Sequence, residues 1–411
     1  MSSRLTIALL HFTAPPVVGG VEQVMGRHAR LLADAGHDVR IIAGRGEPPD
    51  PRISVVSVPR ADTSHPEIVR LQVELDVGRV PDPFARVVAE LADELGTAFA
   101  GADVVIGHNI ASFGRNLALT AALRERVTLA GAPRTILWHH DLSWTLPGYR
   151  RTLHDGDPWD LLRTAWPGVT HVTVSEARCA DLVGLMGLDA ADVRVVPNGV
   201  DLAALLGLNP RTVKAIGEAG LLAFSPLLLL PARITARKNI ELALRVLAAL
   251  RGVGSPAAGL VVTGPLDPHD AGAQAYFASL VSLRGQLGLE GAAIFLAETL
   301  REPADEALVS DLYRVADLLL LPSLDEGFGI PILEAGAHRL PIVCSDLPAL
   351  RDLAGDAAWY FAPDAEPRAV AALVIERLDS DPHAAFARRV RTEFTWEAIY
   401  RRGIAPLLEA G

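Results

Sequence analysis

Apolar and polar residues follow one another along the chain in an order that predicts strands followed by helices. Short, almost continuously apolar runs, such as residues 4–12 (RLTIALLHF) and 227–233 (LLLLPAR), indicate buried strands of a parallel sheet. Amphipathic segments, such as residues 21–37 and 84–100, lie between apolar runs and predict helices. The repeated strand–helix order predicts doubly wound, parallel α/β sheets.

The strand–helix order occurs twice, with one interruption. Residues 203–224 separate the two series, and the length of 411 residues suits two domains of roughly 200 residues each. We therefore predict a first domain of residues 1–205 and a second domain of residues 206–385. Residues 386–411 are predicted to form terminal helices, for which packing back on the first domain is one arrangement.

The chain is acidic, with a net charge of -11 and a pI of about 5.6. This balance argues against general nucleic-acid binding and against a surface attracted to anionic membranes. It does not exclude a small anionic ligand, because a local pair of cations can hold one. Cys179 and Cys344 are far apart and outside any CxxC motif, so neither a disulfide framework nor a zinc site is expected.

The apolar runs are also short. None reaches the ~20 residues that a membrane span requires. The first residues, MSSRLTIALLHF, pass directly into a strand-like run and lack the charged region and cleavage site of a signal peptide. We expect a cytoplasmic protein, and we leave open a peripheral attachment to a membrane.

Loops that follow strands are the candidate sites, because ligands of doubly wound sheets bind beyond the carboxyl ends of the strands. The loop of residues 15–20 ends in Gly19 and Gly20, just before a predicted helix. Glycines let a ligand approach the backbone, and a helix N-terminus offers free N–H groups to an anion. We weigh a phosphate site here against a plain flexible turn. A GxGxxG fingerprint is absent, which argues against a NAD-dependent enzyme.

Histidines and an acid follow two other predicted strands. His139, His140 and Asp141 come after one strand, and His108 and Asn109 after another. Neighbouring strand residues point to opposite faces, so the two adjacent histidines are not expected to share a metal ion. We predict that these side chains face the same cleft. The alternative is a buried core histidine beside a capped loop.

Two cations follow the apolar run of residues 227–230. An arginine fork at Arg233 and a lysine at Lys238, close to a predicted helix start, can bind a diphosphate. Lys238 and Lys214 are the only lysines in a chain that otherwise uses arginine. The alternative is a pair of solvated surface charges, but an arginine directly after four leucines favours a function.

Residues 326–334 (EGFGIPILE) follow a further buried strand. Pro331 suits the first turn of a helix, so the helix is predicted to begin near Ile330. The backbone N–H groups of residues 327–330 would then be free to meet a ligand. Glu334 would lie in the first turn, where a carboxylate also complements the helix dipole. Glu326 precedes the helix and has no such structural role.

Together these segments resemble the retaining glycosyltransferases of family 4, also called group 1, which have the GT-B fold. The strongest likeness is in residues 322–346, which match the family pattern of two glutamates separated by seven residues. Residues 232–239 (ARITARKN) are similar to the family's Arg-x4-Lys-Asn segment.

Weaker likenesses occur in the family's order. They are the two-glycine loop, the His-Asp pair, residues 172–176 (VTVSE) and residues 195–201 (VVPNGVD). One departure is visible, because His338 and Arg339 stand where the family often has a small residue and a glycine. This difference bears on a tight turn at that point and not on the chemistry.

The resemblance implies two Rossmann-like domains facing a central cleft, with a nucleoside-diphosphate sugar held mainly by the C-terminal domain and the acceptor by the N-terminal domain. Glu334 would bind the ribose, and Arg233 and Lys238 would bind the diphosphate together with the two-glycine loop. Glu326 would contact hydroxyls of the donor sugar, and His140 would reach that sugar from the other domain.

The resemblance thus supplies three sets of site residues. The candidate catalytic residues are Glu326, His140, Arg233 and Lys238. The donor contacts are Gly19, Gly20, Arg233, Lys238, Gly327, Phe328, Gly329, Ile330, Glu334 and Leu300, the last beside the base. The candidate acceptor or sugar contacts are His108, Asn109 and Asp141.

The expected reaction is transfer of a hexosyl group to a hydroxyl acceptor with retention of configuration. No metal or cofactor is expected, because cations and helix dipoles would neutralise the leaving diphosphate. We hypothesise that Glu326 orients and electrostatically supports the sugar; front-face and covalent mechanisms both stay open.

Two other functions remain as alternatives: a non-hydrolysing sugar-nucleotide epimerase and a non-catalytic sugar-nucleotide-binding protein. The base of the donor stays open among uridine, guanosine and adenosine. The acceptor stays open among sugars, glycosides and small molecules, with a lipid less favoured. The oligomeric state also stays open.

Overall fold

A computed structural model describes residues 4–266, 272–300 and 302–409. The chain forms two compact units. Unit 1 consists of Met1–Gly199 and Trp396–Gly411, and unit 2 of Val200–Thr395. The boundary between the units therefore lies a few residues before the predicted division at residues 205 and 206.

Unit 1 contains a parallel sheet built from seven strands of its described residues, in the order β3-β2-β1-β4-β5-β6-β7. The central strands are almost completely buried, as their apolar runs predict. The strands are β1 Thr6–Leu10, β2 Asp38–Ala43, β3 Ser54–Ser57, β4 Val104–His108, β5 Arg134–His139, β6 Val169–Thr173 and β7 Val193–Val195.

Helices connect these strands, and buried apolar clusters lie on the sheet. The C-terminal residues of the chain join one of these clusters, where Ile399 and Leu407 pack with Met25 and Leu32. The helices are α1 Gly20–Asp34, α2 Pro66–Leu75, α3 Phe84–Ala98, α4 Leu117–Val127, α5 Pro147–Arg150 and α6 Glu176–Met186. The C-terminal segments of unit 1 are Trp396–Ile399, the π-helical turn Tyr400–Ile404 and Ala405–Glu409.

Unit 2 repeats the architecture with a six-stranded parallel sheet among its described residues, in the order β10-β9-β8-β11-β12-β13. The strands are β8 Leu227–Leu230, β9 Gly259–Val262, β10 Ala293–Phe295, β11 Leu318–Leu321, β12 Ile342–Ser345 and β13 Ala358–Phe361. Its α-helices are α7 Leu202–Leu206, α8 Pro210–Glu218, α9 Ile240–Gly252, α10 Ala273–Gln286, α11 Leu296–Thr299, α12 Glu306–Val315, α13 Ile330–Ala337, α14 Pro348–Ala354, α15 Pro367–Asp379 and α16 Pro382–Glu393.

Short 3-10 turns complete the regular structure of the described residues. They are Pro59–Ala61, Trp159–Leu162, Ala190–Asp192, Leu221–Ala223, Ala236–Lys238 and Gly355–Ala357. Within the described ranges, no helix combines the length and the apolar character that a membrane span needs.

The segment that was predicted to separate the domains is largely helical and belongs to unit 2. Helix α8 buries Ala215 and Ile216 against Leu227 and Leu319 of the sheet. Within this segment Gly207 ends α7 and Pro210 begins α8, so these two residues do not mark a linker. The turn residues were visible in the sequence, but the buried face of α8 decides which unit the segment joins.

The predicted terminal segment of residues 386–411 divides between the units. Helix α16 stays with unit 2, because Arg391 is buried there and pairs with Asp317. Its guanidinium also donates hydrogen bonds to the carbonyl groups of Leu222 and Phe224, at 2.9 and 2.7 Å. Only the part from Trp396 onward belongs to unit 1, and residues 410 and 411 lie outside the described residues.

Two Rossmann-like parallel sheets in one chain confirm the predicted α/β class and the GT-B type of domain pair. In each sheet the strand order reverses next to the first strand, between β1 and β4 and between β8 and β11. Such a reversal opens a crevice at the carboxyl ends of the two strands, where α/β proteins bind ligands. The candidate loops of the sequence follow these strands.

The turn after α13 keeps its tight geometry without a glycine. Arg339 has a φ of 55°, in the left-handed region that costs non-glycine residues about 1 kcal/mol or more. We expect Arg339→Gly to raise the free energy of unfolding by about 1 kcal/mol, because glycine adopts this conformation without strain. Chemical denaturation measures the gain.

Arg339→Ala is the matched control for this turn, because it removes the same exposed side chain and keeps a Cβ in the strained conformation. The alanine variant should show no comparable gain. A glycine variant that is no more stable than the alanine variant would show that the left-handed conformation at Arg339 is not strained.

Candidate active site

The loop after β11 ends where α13 begins, at Ile330, as predicted. Gly329 precedes the helix with a φ of 101°, and a Cβ there would lie 2.6 Å from Cδ2 of Leu350. Only glycine fits this turn. Among the described residues, the N–H groups of residues 327–330 find no acceptor. The loop therefore offers a row of free backbone donors.

A buried ion pair lies beside these donors. The ammonium group of Lys238, at the end of the turn Ala236–Lys238, contacts the carboxylate of Glu326. The side chains are only 9% and 7% exposed. Ser323 Oγ donates to Glu326 Oε1 at 2.9 Å, and Arg237 Nη1 lies 3.7 Å from Oε2. Burial with three partners holds the Glu326 carboxylate in one place.

A groove of about 820 Å³ lies in unit 2, and we call it the unit 2 groove. Its lining includes Arg233, Tyr313, Ile330, Glu334 and His338. Three residues predicted to bind the donor, Arg233, Ile330 and Glu334, thus line one groove. Lys238 is not part of this lining, because it is turned to Glu326.

Arg233 brings to the unit 2 groove a guanidinium that has no ion-pair partner among the described residues. Its side chain is exposed, and no described carboxylate lies within salt-bridge distance of it. Gly264 allows the backbone to approach here, since a Cβ on it would lie 2.5 Å from Cα of Arg233. A free guanidinium in a groove is suited to an anionic ligand.

Glu334 is held at the groove by a tyrosine that the sequence reasoning missed. Tyr313 donates its hydroxyl to Glu334 Oε2 at 2.7 Å, and burial raises the pKa of this phenol. The phenol therefore remains a donor. His338 stacks on Tyr313 with ring centres 5.4 Å apart, and its Nδ1 lies 2.8 Å from the carbonyl oxygen of Glu334.

Leu300 lies next to the unit 2 groove in a smaller cavity of about 200 Å³. This side cavity shares Thr263, Pro265 and Ala304 with the groove. Its other lining residues include Leu296 and Leu300, so its wall is mostly apolar. An apolar cavity beside a groove with a free arginine suits a ligand that has one flat apolar end and one anionic end.

Unit 1 has a pocket of about 450 Å³ at its own strand reversal, and we call it the unit 1 pocket. It brings together three residues from the sequence analysis, Gly20, Asn109 and Asp141. The polar lining that the sequence reasoning missed consists of His11, Thr13, Glu22, Thr63, Gln72, Asp76 and Arg115.

The two-glycine loop faces an acidic side chain. A Cβ on Gly19 would lie 2.0 Å from Oε2 of Glu22, so the carboxylate folds back over this glycine. Gly20, the first residue of α1, has open space around the position of a Cβ. The phosphate role of this loop stays a prediction, with Gly20 as its accessible member.

His108 is not part of the lining of the unit 1 pocket, and its contact with a sugar or an acceptor stays a prediction. It has no exposed surface, because it ends β4 in the middle of the sheet. Its Nδ1 lies 3.1 Å from Nε2 of His140, and the two rings stack. Asn109 Oδ1 accepts the backbone N–H of His140 at 2.7 Å. Both residues therefore position His140.

Burial keeps His140 uncharged. It lowers the pKa of this histidine to about 3, with a smaller contribution from neighbouring histidines. A neutral ring can donate or accept a hydrogen bond but brings no charge to a ligand. Any role of His140 at a sugar is thus that of a neutral hydrogen-bonding group.

Two family models match the chain. Glycosyltransferase Family 4 matches residues 18–204, and Glycosyl transferases group 1 matches residues 222–392. The chain belongs to the group 1 glycosyltransferases of family 4. Each model coincides with one compact unit, so the group 1 match falls on the unit that carries the groove.

Relatives of this group 1 glycosyltransferase are named for different transferase activities. A D-inositol 3-phosphate glycosyltransferase of Kineococcus radiotolerans is 30% identical over 57% of this chain and 57% of its own length. An MMP alpha-(1->4)-mannosyltransferase of Mycolicibacterium hassiacum is 25% identical over 98% of this chain and 97% of its own. A glycosyltransferase structure from Rickettsia africae ESF-5 is 15% identical over 99% of both chains, with a TM-score of 0.37. The alignment thus spans little more than half of the first relative.

The site of this glycosyltransferase contains no ready-made metal centre in the ranges that the structure describes. No group of three or more histidine, cysteine, aspartate or glutamate side chains there is arranged to hold an ion. The charged groups that line the unit 2 groove are instead the guanidinium of Arg233 and the carboxylates of Asp305, Glu306 and Glu334.

Some of the missed residues follow the same rule as the predicted ones. His11 and Thr13 come directly after β1, so the strand-end rule applied to that strand would have found them. Tyr313 lies inside α12, where its spacing is that of an ordinary core residue. No sequence signal distinguishes it, because its role arises from the packing of α12 against α13.

Proposed function

We propose that this protein is a retaining, metal-independent glycosyltransferase that moves a hexosyl group from a nucleoside-diphosphate sugar to a hydroxyl acceptor. The observation that carries the proposal is that Arg233 and Glu334 line one groove in unit 2. A cation without an ion-pair partner among the described side chains and a fixed carboxylate in one groove suit the diphosphate and the ribose of one donor.

The side cavity supports a place for the base of the donor. Leu296 and Leu300 form an apolar wall next to the groove. A base there would leave the adjoining groove, with Arg233 and with the Glu334 carboxylate that Tyr313 holds, for the phosphates and the ribose.

The electrostatics support transfer of a glycosyl group. Glycosyl transfer develops positive charge on the sugar ring and negative charge on the departing phosphate. Arg233 and the free N–H groups of residues 327–330 would stabilise the phosphate, and the Glu326 carboxylate would stabilise the sugar. Lys238 holds Glu326 in the resting protein and would help neutralise the phosphate once the donor is bound.

Retention by front-face attack fits the surroundings of Glu326. Lys238 and Ser323 both contact Oε1 of its carboxylate, and Arg237 lies 3.7 Å from Oε2, so pairing with cations lowers the nucleophilicity of this group. We infer an orienting role for Glu326. Isolation of a glycosyl–Glu326 adduct would overturn it.

A thermal-shift panel of uridine, guanosine and adenosine diphosphate sugars tests the donor class. A ligand that binds only the folded state raises the melting temperature, and the shift grows with the logarithm of the ligand concentration divided by Kd. We expect one base to give the largest shift and the matching free nucleoside diphosphate to compete. Incubation of that donor without acceptor should yield no epimer, and an epimer would favour an epimerase.

Replacing Glu334 tests the ribose contact. We expect Glu334→Ala to weaken donor binding about tenfold or more, because hydrogen bonds to a charged group contribute about 1.5–3 kcal/mol. Turnover at saturating donor should change less. Calorimetry gives the affinity, and steady-state kinetics give the turnover.

The matched control is Glu376→Ala, which removes an exposed glutamate of α15 that is not part of the groove. It should bind the donor like the parent protein. If Glu334→Ala binds the donor as tightly as the parent protein, or if both variants lose the same donor affinity, Glu334 does not bind the ribose.

A further inference from the structure

The polar groups of the unit 1 pocket are mostly hydrogen-bond acceptors. Its three carboxylates belong to Glu22, Asp76 and Asp141. Each accepts a hydrogen bond from a neutral side chain, and these donors are Thr13 Oγ1 at 2.5 Å, Gln72 Nε2 at 2.7 Å and Asn109 Nδ2 at 3.0 Å. The neighbouring donors are thus largely engaged within the protein, whereas the carboxylates keep unused oxygen lone pairs.

No arginine or lysine compensates these charges. In the described part of the chain, none of the three carboxylates lies within 4 Å of a cationic side chain other than the histidine His11. Burial lowers the pKa of His11, so its ring is neutral at physiological pH. The pocket therefore presents three negative charges and hydrogen-bond acceptors to whatever enters it.

His11 adds a further acceptor. It is only 3% exposed, and its Nδ1 lies 2.8 Å from the carbonyl oxygen of His108. Because a carbonyl can only accept, Nδ1 carries the proton and Nε2 has a free lone pair. Nε2 lies 3.7 Å from Oε1 of Glu22, so two acceptors face each other in the pocket. A hydroxyl group of a ligand would supply the donor between them.

The resemblance places the acceptor on the N-terminal domain, and we propose that it enters the unit 1 pocket as an uncharged, hydroxyl-rich molecule. This inference rests on the proposed glycosyl transfer and names its acceptor class. Sugar or polyol hydroxyls donate to the carboxylates and to His11. A phosphorylated acceptor brings additional negative charge next to the three carboxylates, so the pocket discriminates against it.

Two other features of the lining agree with this class. Val69 and Val73 of α2 are exposed to the pocket, and Phe113 contributes an aromatic face. The C–H faces of a sugar ring pack on such surfaces. The one cation of the lining, Arg115, is exposed and stacks over Phe113 and Tyr149 at 5.6 and 5.1 Å. The rings hold its guanidinium away from the three carboxylates, none of which it pairs with. In the unit 2 groove, by contrast, Asp305 is paired with Arg211, and Arg233 has no such ring partner among the described residues.

The test compares matched pairs of acceptors with the same donor. The pairs are glucose and glucose 6-phosphate, mannose and mannose 6-phosphate, and myo-inositol and its 3-phosphate. We expect at least about a tenfold higher kcat/KM for the neutral member of any pair that is used. Added salt should narrow the difference, because it screens the repulsion.

Asp76→Asn removes one negative charge while the side chain keeps nearly the same size. It should lower the ratio of kcat/KM for the neutral member to kcat/KM for the phosphorylated member severalfold. Asp93→Asn is the matched control, since Asp93 is an exposed aspartate of α3 outside the pocket. It should leave the preference unchanged. Saturation-transfer NMR with the same compounds, without any donor, measures binding to the pocket separately from transfer.

The NMR arm keeps the two proposals distinguishable. One possible result is that neutral compounds bind with the expected preference while no nucleotide sugar binds. This result would contradict the transferase function but would still support a neutral, hydroxyl-rich ligand in the unit 1 pocket. Phosphorylated members that bind or react better than neutral ones, an unchanged preference in Asp76→Asn, or no binding of any neutral compound would each overturn the inference.

Discussion

At pH 5 the free energy of unfolding of unit 1 should be about 6 kcal/mol lower than at pH 7. Burial lowers the pKa of His28 and His140 to about 3 and that of His171 to about 4, from the ordinary value of 6.5. These rings stay neutral in the folded protein. In the unfolded chain they take up protons below pH 6.5.

The sign follows from proton uptake. Because the unfolded state binds more protons, stability is fully present above pH 6.5 and is lost as the pH falls toward the folded pKa values. Between pH 6.5 and pH 5 each of the three histidines contributes a loss of about 2 kcal/mol. His108 and His139, whose pKa values burial also lowers, act in the same direction.

Urea unfolding followed by tryptophan fluorescence measures this loss selectively. Trp359 is in unit 2, and the other tryptophans of the chain, Trp138, Trp144, Trp159, Trp166 and Trp396, are in unit 1. The fluorescence transition should therefore move to much lower urea at pH 5 than at pH 7.

His28 offers the sharpest control. Both of its ring nitrogens are buried without a hydrogen-bond partner in the described structure, and its ring packs on Trp138. His28→Leu keeps a similar volume and cannot be protonated. The variant should lose about 2 kcal/mol less than the parent between pH 7 and pH 5. An unfolding midpoint that does not depend on pH over this range would contradict the prediction.

The fold was predictable because the strands are buried on both faces. Runs such as Leu227–Leu230 and Leu318–Leu321 have no polar alternation and no helical period, so they indicate strands of a parallel sheet. The boundary was less predictable. Helices α8 and α16 are short and rich in turn or charged residues, and only their buried contacts assign them to unit 2.

The site was predictable as far as it follows strand ends. Arg233, Glu334, Asn109 and Asp141 all come after strands or begin the helices that follow them, and they line the two cavities. Their partners were less predictable. The sequence placed Lys238 at the diphosphate, and its pairing with Glu326 depends on a contact across 88 residues. Such contacts leave no local pattern.

Glu326→Gln should lower turnover about 100-fold or more and change the affinity for the donor only slightly. The amide keeps the size of the side chain and can still accept from Ser323, but it removes the negative charge. That charge would stabilise the sugar ring when it becomes positive in the transition state, and loss of one such preorganised group costs about 100- to 1,000-fold in rate. Steady-state kinetics and calorimetry separate the two effects.

Two further variants decide whether the effect belongs to the ion pair. Asp325→Asn removes the charge of the exposed neighbour and should retain the parent turnover. Lys238→Gln removes the other member of the pair. Because Lys238 and Glu326 share one buried contact, their effects should not add, and the double variant should be no slower than the worse single variant. Additive losses would show that Lys238 and Glu326 act independently of their contact. A Glu326→Gln variant that weakens donor binding without slowing turnover would show that Glu326 acts before the chemical step.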